Sequence, residues 1–168
     1  LIDALEGFSR RFYLPNGSRI MDTGGFKGKS RSVPATELRH AYYDFLGVGS
    51  ELCVNEYGMT KLCSQFYDSV LRDRVLGRQH DARIKIPAPW VRTRVVDPET
   101  LEPVPAGETG ILQHFDLANM YSVLAIQTED LGRVVDGGFE TLGRVEGAVP
   151  RGCSIAIDLL LDAPRDRS

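Results

Sequence analysis

At 168 residues, with 42% hydrophobic and 26% charged content, the chain is long enough to bury a core and has the composition of one soluble globular domain. Its net charge of -3 and pI near 5.6 argue against nucleic acid or a membrane surface as partner, since both call for a basic face. No apolar run approaches the roughly 18 residues of a membrane span.

The opening Leu1-Ile2-Asp3-Ala4-Leu5 reads as the middle of a helix, with no initiating Met and no signal peptide. The expectation is a piece of a longer protein. Leu1, Leu5, Phe8 and Phe12 recur at helical spacing and predict an amphipathic helix over residues 1–12. Leu14-Pro15-Asn16-Gly17 is a turn, and Ser18–Thr23 predicts a short strand ending at Gly24-Gly25. Pro34 opens a second helix through Leu38, Ala41, Tyr42 and Phe45, which Gly47 closes. Leu52–Glu56 predicts a buried strand feeding a turn at Tyr57-Gly58. The second half is β-rich, with strands predicted at Trp90–Val96, Gly110–Phe115, Ser122–Thr128, Phe139–Arg144 and Ile155–Leu161. Turns fall at Asp97–Thr100, Gly107, Gly132 and Gly137-Gly138. The predicted fold class is α/β: an α/β segment over residues 1–85, then a small, mostly antiparallel β subdomain over residues 86–168.

Several residues suit nucleotide chemistry. Glu56-Tyr57-Gly58-Met59-Thr60 brings an aromatic ring, backbone amides and a hydroxyl to one strand end. The ring can lie on a purine, and the amides and hydroxyl can meet phosphate. The same residues also suit a packed tyrosine and a capping threonine. Asp130 follows the apolar run Val123, Leu124, Ala125 and Ile126, which predicts a buried strand. At that strand's carboxyl end it can accept from both ribose hydroxyls, or cap a turn before Gly132. Arg144 presents a planar fork to ribose or phosphate oxygens, or to solvent. Gly24-Gly25 lets backbone approach a ligand closely, or simply turns. Lys27 and Lys29 can meet phosphate or sit on a solvated loop.

Cys153 follows Arg151-Gly152. A neighbouring guanidinium favours the nucleophilic thiolate, whereas a buried thiol is inert. Cys53 reads as core, and Cys63 carries no strong reading. Three cysteines at unrelated spacings suggest neither a disulfide framework nor a zinc site, so reduced thiols in the cytoplasm are expected. His40, His80 and His114 are too far apart for a metal site, and His40 is expected to be exposed.

In order and spacing these segments resemble the adenylate-forming superfamily of acyl-CoA synthetases, luciferase-type ligases and peptide-synthetase adenylation domains. Within it the likeness is to the acyl-protein synthetases of bacterial bioluminescence, the LuxE family. It is carried by Gly24-Gly25-Phe26-Lys27-Gly28, Asn55-Glu56-Tyr57-Gly58-Met59-Thr60 and Ser64-Gln65-Phe66-Tyr67-Asp68. It continues through Thr128-Glu129-Asp130-Leu131-Gly132, Gly143-Arg144 and Arg151-Gly152-Cys153-Ser154, nearly the whole chain.

The resemblance implies ATP and Mg²⁺ as cofactors, and activation of a carboxylic acid of the fatty class as acyl-adenylate. It implies that Gly24 and Gly25 border the adenine pocket, that Tyr57 stacks on adenine, that Gly58 belongs to the nucleotide site, and that Thr60 contacts the α-phosphate. Asp130 would bind the ribose hydroxyls with Arg144 assisting, and Glu146 would be the domain hinge. Cys153 would take the acyl group as a thioester and pass it to a partner acyl-CoA or acyl-protein reductase. Two departures accompany it. Lys61 stands where the superfamily has a Glu associated with Mg²⁺, so no metal residue is assigned. The phosphate loop and mobile catalytic domain are missing, so the chain alone is expected to be inactive. Two other readings stay open: an acyl-CoA ligase of the phenylacetate type, with Cys153 inert, and a degenerate adenylation-like module that only binds a partner.

Overall fold

The fold is described here from a computed structural model covering residues 2–7, 10–23, 33–78 and 82–145. It begins with a short helix, α1 (Ile2–Gly7), and a strand, β1 (Ile20–Thr23). Pro34 then sets an extended entry at φ -55° and ψ 141°, and twelve residues free of Gly and Pro form α2 (Ala35–Leu46). Gly47 ends the helix by taking φ 68°, where a side chain would be strained. The strand β2 (Cys53–Tyr57) follows and pairs with β1 in parallel, from Ile20↔Cys53 to Thr23↔Glu56. The carboxyl ends of both strands therefore open on one edge, the usual place for a ligand in such a unit. At the amino ends of the two strands Tyr42, Val48 and Cys53 bury a small core, packed by Ile20, Leu38, Leu46 and Leu52.

Six further elements follow in chain order: β3 (Phe66–Asp68), α3 (Val70–Val75), β4 (Lys85–Ile86), β5 (Val91–Val96), β6 (Gly110–Asp116) and β7 (Ala125–Val135). The last is β8 (Gly138–Arg144). All eight strands lie in one sheet ordered β1-β2-β3-β4-β8-β7-β6-β5, antiparallel apart from β1 with β2. The class is thus mixed α/β with a largely antiparallel sheet, as the sequence predicts. The main core gathers Phe66, Val91, Val95, Leu112 and Phe139 on one face. Among the described residues no helix is long and apolar enough to cross a membrane.

Several elements differ from expectation. The first helix stops at Gly7 instead of reaching Phe12, because Phe12 N donates to Phe45 O at 2.7 Å and Leu14 N to Leu46 O at 3.1 Å. That segment spends its amides on the end of α2. The run expected as a buried strand at Val123–Ile126 is mostly outside: Val123 and Leu124 are 41% and 42% exposed, and β7 starts only at Ala125. Gly132 is no turn. It sits within β7 at a register shift against β8, where a Cβ would come within 2.5 Å of Glu140 O. Asp130 accordingly lies inside β7 and not at its carboxyl end. The strand expected at Ile155–Leu161 lies outside the described residues.

Candidate nucleotide site

Tyr57 ends β2 and is the pivot of the site. Its ring centroid lies 5.8 Å from Phe66, 5.7 Å from His114 and 5.9 Å from Phe139, so three rings fix its orientation. Its hydroxyl donates to Asp130 Oδ2 at 2.7 Å. Burial, and next the Asp130 charge, push the phenol well above its ordinary range, so it remains a donor.

Asp130 is held from three sides. It pairs across the ladder with Arg144, whose Nε donates to Asp130 Oδ1 at 3.1 Å. The backbone N–H of Asp130 donates to Thr128 Oγ1 at 3.0 Å, and that hydroxyl donates to Leu112 O at 2.9 Å. Arg144 also reaches Glu129 at 3.5 Å. Tyr57, Asp130 and Arg144, far apart in sequence, therefore form one hydrogen-bonded chain across β2, β7 and β8.

The loop after Tyr57 is shaped from beneath. A Cβ at Gly58 would press on the Glu56 carboxylate, so a side chain there would displace the Glu56 head group. Thr60 and Lys61 are exposed on the loop. Asp116, fully buried at the end of β6, accepts from Cys63 N at 3.1 Å, Ser64 N at 2.9 Å, Ser64 Oγ at 3.0 Å and Ala118 N at 3.0 Å. Asn119 Nδ2 donates to Lys61 O at 2.6 Å, and Trp90 Nε1 to Ser64 Oγ at 3.0 Å. His114 packs under Tyr57 with its Nδ1 2.9 Å from Thr93 Oγ1. Burial pulls its pKa down to about 4, so the ring is neutral at pH 7.

Behind the loop, β1 and β2 share a polar seam. Thr23 Oγ1 donates to Glu56, and Asn55 Nδ2 donates to Asp22 Oδ1 at 2.5 Å. Arg83 pairs with Asp68 at 2.9 Å and donates to Cys53 O at 2.8 Å. Beside β3 and β4 a cleft of about 530 Å³ is lined by Val54, Tyr67, Asp68, Leu71, Ile86 and Pro87, among others.

Of the residues singled out by sequence, Tyr57, Gly58, Thr60, Asp130 and Arg144 are described, and Tyr57, Asp130 and Arg144 are brought together. Gly24, Gly25, Lys27, Lys29, Glu146 and Cys153 lie outside the described residues. Sequence reasoning missed Asp116 and the buried role of His114. Among the described residues no group of three or more His, Cys, Asp and Glu can hold a metal ion. The described residues offer an aromatic ring, a carboxylate, a guanidinium and a hydroxyl, and no cluster of metal ligands among themselves.

The fold is that of the adenylate-forming enzymes. It matches the structure of McyG A-PCP complexed with phenylalanyl-adenylate at a TM-score of 0.55 and 19% identity, over 86% of this chain and 24% of that one. The family is narrower: the model for acyl-protein synthetase, LuxE, matches residues 4–161, and the chain belongs to that family. A long-chain-fatty-acid–luciferin-component ligase of Vibrio harveyi is 29% identical over 85 residues, 46% of this chain and 22% of that protein. Its counterpart in Aliivibrio fischeri is 46% identical over 46 residues, 27% of this chain and 12% of that protein. The chain thus spans less than a quarter of either relative's length in these matches.

Proposed function

We propose that the protein containing this chain activates a long-chain carboxylic acid with ATP as an acyl-adenylate and transfers the acyl group to a protein thiol. The observation that carries this reading is the convergence of Tyr57, Asp130 and Arg144 beside a shaped loop bearing Thr60. Asp130 engages one donor on each oxygen, and a carboxylate offers about four lone-pair sites, so two ribose hydroxyls can add to it without displacing either. Tyr57 would bring its ring to adenine, Gly58 would keep the backbone close to the nucleotide, and Arg144 would hold the Asp130 carboxylate toward the sugar. Thr60 would meet the α-phosphate. Gly24 and Gly25 would border adenine, and Glu146 would be the hinge. Mg²⁺, entering with the phosphates of ATP, would offset their charge.

The carboxylate substrate attacks the α-phosphorus, forming the mixed anhydride and releasing pyrophosphate. The Cys153 thiolate then attacks the acyl carbon, forming the thioester and releasing AMP. A reductase subunit is the proposed recipient. We place the protein in the cytoplasm, with residues 1–85 carrying the nucleotide turns and residues 86–168 the ribose and cysteine motifs. The exposed Lys61, one residue past Thr60, favours a second reading, a module that binds a partner without catalysis.

The test is ATP–pyrophosphate exchange by the full-length protein with a panel of fatty and aryl acids. Exchange that depends on a long-chain acid is expected. Absence of exchange with every acid, from protein that is folded, would favour the non-catalytic module.

A further inference from the structure

One cation at the centre of the sheet makes no contact with the nucleotide residues described above. Lys85, in β4, is 4% exposed. Its Nζ donates to Asn55 O at 2.7 Å and to Asn55 Oδ1 at 2.5 Å. Asn55 Nδ2 donates to Asp22, and Asn55 N donates to Asp68 Oδ2 at 3.2 Å. All four polar groups of Asn55 are thus satisfied by side chains from β1, β3 and β4. The sheet explains why. β2 and β3 pair only at Glu56↔Tyr67 and Tyr57↔Phe66, so Asn55 has no ladder partner on that side. The Lys85 and Asp68 side chains fill the gap. Two residues along the same strand, and on the same face, stands Tyr57, which holds Asp130.

We propose that Lys85 is a positioning residue for the nucleotide site: by clamping Asn55 it fixes the end of β2, and with it Tyr57, Asp130 and the following loop. The proposal rests on the nucleotide reading above. The charged groups acting on Lys85 are Asp22 on β1, Glu56 on β2, Asp68 on β3 and Arg83 before β4, and Arg39 on α2 faces Asp22, Asp68 and Arg83 in turn. Three carboxylates thus meet three cations. Burial pulls the Lys85 ammonium from 10.5 down to about 8, against the upward pull of Asp68, Asp22 and Glu56. It is charged at neutral pH and loses its proton in the mildly alkaline range. The seam then carries an excess negative charge just behind the loop that would receive phosphate, and the clamp on Asn55 loses its charge-assisted hydrogen bonds. Arginine at this position keeps its charge throughout.

The experiment follows KM for ATP and kcat in acid-dependent pyrophosphate exchange by the full-length protein between about pH 6.5 and 9.5, alongside Lys85→Arg and Lys85→Met. In the unmodified protein KM is expected to rise roughly tenfold through the alkaline range, with kcat changing less than about threefold. Lys85→Arg should flatten that rise, and Lys85→Met should show the raised KM at every pH. An alkaline rise that persists in Lys85→Arg, or a Lys85→Met protein with normal KM, overturns the proposal. If Lys85→Met does not fold, the Lys85→Arg profile alone decides. Failure of exchange by the unmodified protein removes the nucleotide reading and this proposal together, whereas an active enzyme with an unflattened Lys85→Arg profile removes this one only.

Discussion

Asp130→Asn in the full-length protein is expected to weaken ATP binding by roughly 30- to 150-fold, corresponding to about 2–3 kcal/mol for charge-assisted bonds to two hydroxyls. The substitution preserves shape. It replaces one acceptor oxygen by an NH₂ group that must face either the Tyr57 hydroxyl or Arg144 Nε, both donors to the native carboxylate. The hydroxyl can rotate to accept, but the guanidinium cannot. Stability should change little, because Asp130 and Arg144 are 19% and 40% exposed and such partly solvated pairs contribute about 1 kcal/mol or less. The measurement is KM for ATP in pyrophosphate exchange, with thermal unfolding as control. A KM within about twofold of normal would remove Asp130 from the ribose.

Asp116→Ala acts on stability instead. Its carboxylate takes four donors, three of them backbone N–H groups of Cys63, Ser64 and Ala118. An alanine leaves these without their acceptor and opens a void beneath the loop. At about 1–3 kcal/mol for each unsatisfied buried group, partly relieved by water entering from the loop side, a loss of about 3–4 kcal/mol is expected in urea unfolding. Ser64→Ala removes one of the four bonds, together with the Trp90 contact, and should cost about 1 kcal/mol. A loss below about 1 kcal/mol for Asp116→Ala would show that the loop stands without its buried anchor.

Sequence legibility tracked how local each signal was. α2 carries its own entry at Pro34 and stop at Gly47, so both ends could be read. β3 and β4 have three and two residues, too few for any periodicity, and went unseen. The apolar run at Val123–Leu124 looked buried because apolarity was the only cue, yet it precedes β7 and faces outward. Gly132 suggested a turn, whereas its small size serves a close approach to Glu140 O.

The candidate site divides in the same way. Tyr57, Asp130 and Arg144 were recognisable from order and residue type, and the fold joins them by hydrogen bonds. Lys85 and Asp116 were not. A lysine between Ile84 and Ile86 reads as the solvent-facing member of a strand, and its burial depends on Asn55, thirty residues earlier. An aspartate closing β6 reads as a strand end, and its role depends on a loop more than fifty residues away.

The most direct test of the acyl-protein synthetase reading incubates full-length protein with ATP, Mg²⁺ and a radiolabelled long-chain fatty acid, then resolves it by denaturing electrophoresis. The expected result is a hydroxylamine-labile label on the protein that disappears in Cys153→Ser. Pyrophosphate release without a protein label, or a label that survives Cys153→Ser, would contradict it.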